Sequence, residues 1–387
     1  MENLDLYGIY TTLTEEERAI WKSAREFVDR EFLPFVNQHF RAGTFPTQLI
    51  KKTGELGFLG SILPAKYGCA EINNKAYGLI MQEMERGDSG LRSFVSVQGS
   101  LVMYPIWRFG SDAQKDYWLP LLAAGEKVGC FGLTEPDFGS NPSGMLTTAR
   151  QTGNGYLLNG TKMWITSGSI ADVAVVWAKL DDEIRGFLVT KGTPGFSATD
   201  IKGKQSLQVS VTSELHFEDC LVPLDNILPE SHGLKAPLSC LSQARYGIAW
   251  GAIGSALATF DCALNYAKTR VQFGRPIAGF QLIQERLVEM ANEITKAQLL
   301  AFRLADLKDQ GQAQSAMISL AKRNNVRMAL ENARAARSIL GASGIVDEYP
   351  VMRHMTNLES VFTYEGTHDM HTLIVGEYLT GMSAFGN

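Results

Sequence analysis

The chain opens with a polar stretch and then a helical pattern. Thr14 is placed to cap, and Glu17 stands three residues on, the arrangement of a capping box. Ile20, Trp21, Ala24, Phe27 and Val28 then recur at helical steps and define one apolar face. Similar patterns continue through TQLIKKTGELGFLG, AYGLIMQEMERG and DAQKDYWLPLLAAG, so the first third predicts helices. Near Glu126 the pattern changes to alternation rich in Val, Ile, Trp and Tyr. GYLLNGTKMWITSGSIADVAVVWAKL, RGFLVTKGTPGFSA and SELHFEDCLVP predict strands, with Asn154-Gly155 and Asn159-Gly160 as turns. Helix returns after Pro229, in segments at about 236–270, 280–310, 313–340 and 367–380. In the second, Ile283, Leu287, Met290, Ile294 and Ala297 mark the buried stripe.

The expected fold is therefore α+β in three domains. These are an N-terminal helical domain over 1–125, a middle β-barrel or sandwich over 126–232, and a C-terminal four-helix bundle over 233–387. No βαβ alternation and no GxGxxG after a strand supports a dinucleotide-binding sheet.

Composition narrows the function. The chain has 387 residues, 45% hydrophobic, with a net charge of −5 and no basic tract, which argues against a nucleic-acid partner. Five cysteines without a CxxC fit reduced thiols in a cytoplasmic setting. The N-terminus lacks an apolar signal core, and no run of 18 apolar residues predicts a membrane span.

Several stretches carry candidate chemistry. CFGLTEPDFGSNPSGM (130–145) combines glycines with Thr134 and Ser140. It suits either a structural turn or close approach to a phosphate or ring. KMWITSG (162–168) sets Trp164 among polar residues, as core or as a stacking surface. KTRVQFGRPIAGF places Arg270 at a helix end, able to pair with a phosphate. In RGDSGLRSFVSVQGS, Arg92 and Ser96 lie one helical turn apart in an apolar setting. Arg92 needs a counter-charge, either Glu85 or an anionic substrate group. In FTYEGTHDMH, Glu365 sits in a loop before a helix, where burial would move its pKa toward neutrality. The alternative is a solvated Glu365 beside a capping Thr367. His368 and His371 lack the company of a metal-ligand set, so no metal is expected.

Taken together, GLTEPDFGS, KMWITSG, RVQFGRPI, LGASGIVDEYP and YEGT resemble the acyl-CoA dehydrogenase family, in order and spacing, over essentially the whole chain. DSGLRSFVSVQGSLVMYPI, ARYGIAWGAIG and MRHMTNLESVFTYEGTHDMH look like its glutaryl-CoA dehydrogenase branch. That resemblance implies FAD as cofactor and Glu365 as the base that takes the substrate α-proton. It also implies Arg92, with Ser96, as the reader of a distal carboxylate. Ser140, Arg245 and Tyr364 would complete the substrate side. FAD would be held by Phe131, Leu133, Thr134, Gly139, Ser140, Trp164 and Thr166, and by Thr367 and Asp369 near ring or ribose. Arg270, Gln272, Phe273 and the segment Leu340, Gly341 to Gly344 would reach it from a neighbouring subunit, making the enzyme an oligomer, usually a tetramer.

The implied reaction is oxidation of glutaryl-CoA to crotonyl-CoA and CO2, with electrons passed to an electron-transferring flavoprotein. A dehydrogenase of another short acyl-CoA or carrier-bound thioester, a flavin oxidase of the same fold and an inactive relative are the alternatives. The sequence departs from the family pattern at Asn141, at GASG (341–344), at Gln208, and at Leu91, which abuts Arg92.

Overall fold

The computed structural model describes residues 4–385. The N-terminal third holds α1 (Glu15–Phe27), α2 (Val36–Ala42), α3 (Leu49–Glu55), α4 (Asn74–Gly87), α5 (Ser89–Ser96), α6 (Tyr104–Phe109) and α7 (Asp112–Ala123). The capping box forms as expected: Glu17 N donates to Thr14 Oγ1 and Thr14 N to the Glu17 carboxylate. A π-helical stretch, Val97–Met103, joins α5 to α6, so the Arg92 segment is part of one long buried helical run.

Among the described residues nine strands follow, and seven of them share one sheet. They are β1 (Gly129–Gly132), β2 (Thr148–Thr152), β3 (Gly155–Thr166), β4 (Val173–Leu180), β5 (Glu183–Thr190), β6 (Phe196–Asp200) and β7 (Thr212–Pro223). The order is β1-β4-β2-β3-β7-β6, with β5 on β4, and the β1/β4 and β2/β4 pairs are parallel. The sheet curls around its own small core, which includes Leu158, Phe187, Leu215 and Phe217. The turn at Asn154-Gly155 is as expected. Asn159-Gly160, however, is no turn: it lies within β3 at a register shift against β7. Gly160 there has φ 145°, and a Cβ would meet Thr147 Oγ1 at 2.5 Å, so glycine serves close strand packing.

The C-terminal third comprises α8 (Lys235–Thr269), a hairpin of β8 (Val271–Gln272) and β9 (Arg275–Pro276), α9 (Gln281–Asp309), α10 (Ser315–Leu340), α11 (Val351–Thr363) and α12 (His368–Thr380). α8, α9, α10 and α12 form the bundle, and α11 packs on α10 and α8. α11 is absent from the sequence reading. Its buried face carries Arg353, His354 and Asn357, which breaks the apolar periodicity that reveals a helix. α8 is long and apolar enough to cross a membrane, yet 78% of its most apolar window is buried within the molecule.

Candidate active site

The loop Tyr364–Thr367 between α11 and α12 is the centre of the site. Thr367 caps α12 by accepting from Met370 N at 3.1 Å, so the capping alternative holds for Thr367. Glu365 is not solvated, however. Its Oε2 is buried with no hydrogen-bond partner. Burial pushes its pKa up, and Arg92, Lys322 and Arg245 oppose that rise. Its backbone is left-handed, φ 51°, followed by Gly366 at φ 92°. A Cβ on Gly366 would press on His371 Nε2 at 3.0 Å, so the turn needs glycine.

Three successive carbonyls of this loop are held by cations. Lys322 Nζ, from α10, donates to Tyr364 O at 2.5 Å and Gly366 O at 2.7 Å. Arg245 Nε, from α8, donates to Glu365 O at 2.8 Å. The two histidines diverge. His368 stacks on Phe362 with ring centroids 4.4 Å apart, whereas His371 is buried and held neutral, its pKa pushed down to about 2 by desolvation.

Arg92 approaches the same loop from α5. Its Nε donates to Glu85 Oε2 at 2.7 Å, Ser89 Oγ donates to Glu85 Oε1 at 2.9 Å, and Arg92 Nη2 donates to the Tyr364 hydroxyl. Glu85 thus supplies the internal counter-charge expected for Arg92, while Arg92 Nη1 stays buried without a partner. Ser96 Oγ is likewise buried, beside the Tyr77 hydroxyl. Unpartnered polar atoms on Arg92 and Glu365 therefore cluster around Tyr364. Buried polar atoms are ordinarily paired, so such a cluster points to a polar ligand.

α5 and α11 are locked to each other. Asp88 Oδ1 caps α5 by accepting from Gly90 N at 2.7 Å. Its Oδ2 accepts from Arg353 Nη1 at 2.6 Å and Asn357 Nδ2 at 2.9 Å. Asn357 Oδ1 in turn accepts from Leu207 N at 2.8 Å, which ties in the loop before β7. The segments carrying Arg92 and Glu365 thus share one buried polar anchor.

The residues expected to hold FAD fall in two groups. Phe131 and Leu133 are buried and Thr134 is half-buried, while Gly139 and Ser140 are exposed. Lys162 Nζ ties Leu133 O at 3.1 Å and Glu135 Oε1 at 2.8 Å, and Glu135 accepts from Leu146 N and Thr147 N. The loop is thereby braced. Trp164 is no core residue. It is 56% exposed with φ 63°, turned outward where the β3/β7 register slips, and Thr166 is half-buried beside it. In the second group, Arg270, Gln272, Phe273 and Gly341 are exposed, and Leu340 and Gly344 are buried. Phe273 is 94% exposed at φ 50°. Tyr266 Oη to Ser343 Oγ, 3.4 Å, links the end of α8 to the 341–345 turn. Among the described residues no hydrogen bond or ion pair joins this second group to Trp164 or the 131–140 loop. Asp369 is exposed in the first turn of α12. An outward Trp in a strained backbone and a braced Gly-Ser loop fit a planar, phosphorylated cofactor.

Lys322, Asp88, Arg353, Asn357 and Lys162 are the functional neighbours that sequence reasoning missed. For Lys322 a signal exists: it falls on the apolar stripe Ile318, Ala321, Val326, Ala329, where a lysine has to be paired inside the molecule.

Three family models cover most of the chain: acyl-CoA dehydrogenase N-terminal domain at 14–126, middle domain at 130–220 and C-terminal domain at 231–380. A crystal structure of glutaryl-CoA dehydrogenase from Mycobacterium smegmatis is 54% identical, with a TM-score of 0.97 and 99% of each chain covered. A second, of a glutaryl-CoA dehydrogenase from the same organism in complex with FADH2, is 52% identical with a TM-score of 0.98 and 99% of each chain covered. The mitochondrial short-chain specific acyl-CoA dehydrogenase of Homo sapiens is 37% identical, over 97% of this chain and 93% of that protein. Fold and site thus define a flavin-dependent oxidoreductase with FAD as its cofactor. The chain belongs to the acyl-CoA dehydrogenase family.

Proposed function

We propose that this enzyme oxidises glutaryl-CoA and releases crotonyl-CoA and CO2. The observation that carries the reading is the buried, unpartnered Arg92 Nη1, one helical turn before the buried Ser96 and next to the loop of Glu365. A terminal carboxylate would accept from both. Charge supports it: Arg92, Arg245 and Lys322 against Glu85 and Glu365 leave one net positive charge when all are ionised, which one substrate carboxylate balances. The relatives named glutaryl-CoA dehydrogenase point the same way.

Glu365 takes the α-proton, its basicity raised by burial. Its backbone N–H, which has no acceptor in the chain among the described residues, faces the developing enolate oxygen. Phe131, Leu133, Thr134, Ser140 and Trp164, with the Arg270 hairpin of a neighbouring protomer, would hold FAD, which would supply the acceptor for the β-hydride. The unsaturated product carries its carboxylate on the γ-carbon, next to the double bond that is conjugated to the thioester. The bond from the γ-carbon to the carboxylate breaks, its electron pair passes into the dienolate, and protonated Glu365 returns its proton to the γ-carbon. Glu85 favours this step, because a guanidinium already paired with a carboxylate releases a second one more readily than a bare cation does. The working enzyme is a homotetramer in the cytoplasm that passes electrons to an electron-transferring flavoprotein. The five unpaired cysteines fit that compartment.

The test is turnover with glutaryl-CoA and butyryl-CoA and an artificial acceptor, with CO2 measured. Preference for glutaryl-CoA, with one CO2 per crotonyl-CoA, is expected. Preference for butyryl-CoA would make it a short-chain dehydrogenase, and glutaconyl-CoA without CO2 would exclude decarboxylation.

A further inference from the structure

We propose that Lys322 is a positioning residue for proton abstraction: from α10 its ammonium holds the carbonyls on either side of Glu365, and so fixes where the base's carboxylate and N–H point. The inference rests on the reading of Glu365 as base. One nitrogen reaches both Tyr364 O and Gly366 O, two residues apart. That is possible because the peptide curls through the left-handed Glu365. A non-glycine residue there carries a backbone cost, so something must hold it. Lys322, with Arg245 on Glu365 O, is what holds it. With three carbonyls drawn into the bundle, the Glu365 N–H is left free of protein acceptors, among the described residues.

A purely structural lysine would be an odd choice. Lys322 is fully buried, and desolvation together with Arg245 and Arg92 pulls its pKa down to about 7, against the opposing pull of Glu365. The charged and titratable groups that act on it come from five elements: Glu365 and Tyr364 on the loop, Arg245 on α8, Arg92 on α5, Glu85 on α4, and His368 and His371 on α12. An apolar residue in its place would avoid that penalty but leave Tyr364 O and Gly366 O without these donors. The cation also acts directly on the base, since a positive charge beside Glu365 favours its carboxylate.

The experiment uses the flavin-loaded enzyme and an acyl-CoA whose β-carbon is replaced by sulfur. Such a molecule can lose an α-proton but has no β-hydride to give, so α-hydrogen exchange in deuterium oxide, followed by mass spectrometry, reports the base alone. K322M should keep its flavin and oligomeric state. Its exchange should slow by about tenfold or more, and the acid limb of the pH profile should move up, because a cation that lowers the Glu365 pKa is gone. K322R, which keeps charge and donors, should restore the limb to its wild-type position. Should K322M not assemble, K322Q carries the same test. Wild-type exchange and an unmoved limb in the neutral variant would overturn the proposal. So would a slowed rate with an unmoved limb, the mark of general damage. A wild-type enzyme that exchanges no α-proton would instead sink the reading of Glu365.

Discussion

Arg92 and Glu85 form an ion pair, Nε to Oε2 at 2.7 Å, with both side chains wholly buried. Room for it is made by Gly251 on α8, where a Cβ would stand 2.1 Å from Glu85 Oε2. Removing one member of a buried pair leaves an uncompensated charge, at a cost of about 3–5 kcal/mol. Arg92→Met should therefore lower the thermal midpoint. Adding Glu85→Gln should restore much of it, since the orphaned carboxylate is then gone. A double variant no more stable than R92M would show that the two side chains are not coupled.

The same substitution tests the substrate. R92M should weaken kcat/KM for glutaryl-CoA by about a hundredfold or more, the scale of a lost charge-assisted bond in a desolvated site. Butyryl-CoA has no carboxylate to lose and should change little. The ratio of the two cancels general damage to folding or flavin binding. An unchanged ratio would mean that Arg92 serves Glu85 and Tyr364 alone.

Much of this site was legible before the structure. Thr14 and Glu17 announce the helix start that forms, and FTYEGTHDMH marks the loop in which the Glu365 carboxylate is buried, because capping and motif signals are local in sequence. What stayed hidden was polar and long-range. Asp88, Arg353 and Asn357 meet across more than 260 positions, a separation no periodicity shows. The apolar stripe marks Lys322 as needing a buried partner, but the loop it holds lies 42 to 44 positions away. Trp164 is ambiguous for the opposite reason. Its strand pattern suits either a core residue or a stacking surface, and the β3/β7 register slip turns it outward.

Glu365→Gln keeps the shape of the base and removes its basicity. Flavin should stay bound while turnover with glutaryl-CoA falls by at least about a hundredfold. Flavin content is read from absorbance and turnover from an artificial acceptor on the same preparation. Near-normal turnover would reject Glu365 as the base.

Acid stability should register His371. Unfolded histidine titrates near 6.5, but buried His371 stays neutral down to about 2. Its folded pKa is lowered, so stability is full above pH 6.5 and is lost as pH falls, at about 1.4 kcal/mol per pH unit. Buried His354, also pushed down, adds to the slope. Between pH 7.5 and 5.5, where carboxylates scarcely titrate, the thermal midpoint of H371Q should fall less than that of the wild type. Equal slopes would mean that His371 takes up its proton in the folded state.

The last prediction concerns the exposed hairpin. Phe273 is 94% exposed at its tip, next to the exposed Arg270 and Gln272, on a chain whose other expected flavin contacts lie around Trp164. An aromatic side chain so bare is expected to be covered in the assembly. If each flavin lies between the Trp164 surface of one protomer and the Arg270 hairpin of another, damage on the two sides should complement. Arg270→Glu sets a negative charge against the cofactor phosphates, and Trp164→Ala removes the opposite wall. Each alone should hold little flavin. In mixed oligomers of the two, about one quarter of the sites pair an intact hairpin with an intact wall if protomers assort at random. Co-expression should therefore restore flavin to about that fraction, read as absorbance per chain after purification through tags on both variants. A site built within one protomer leaves every position damaged, and no flavin returns on mixing.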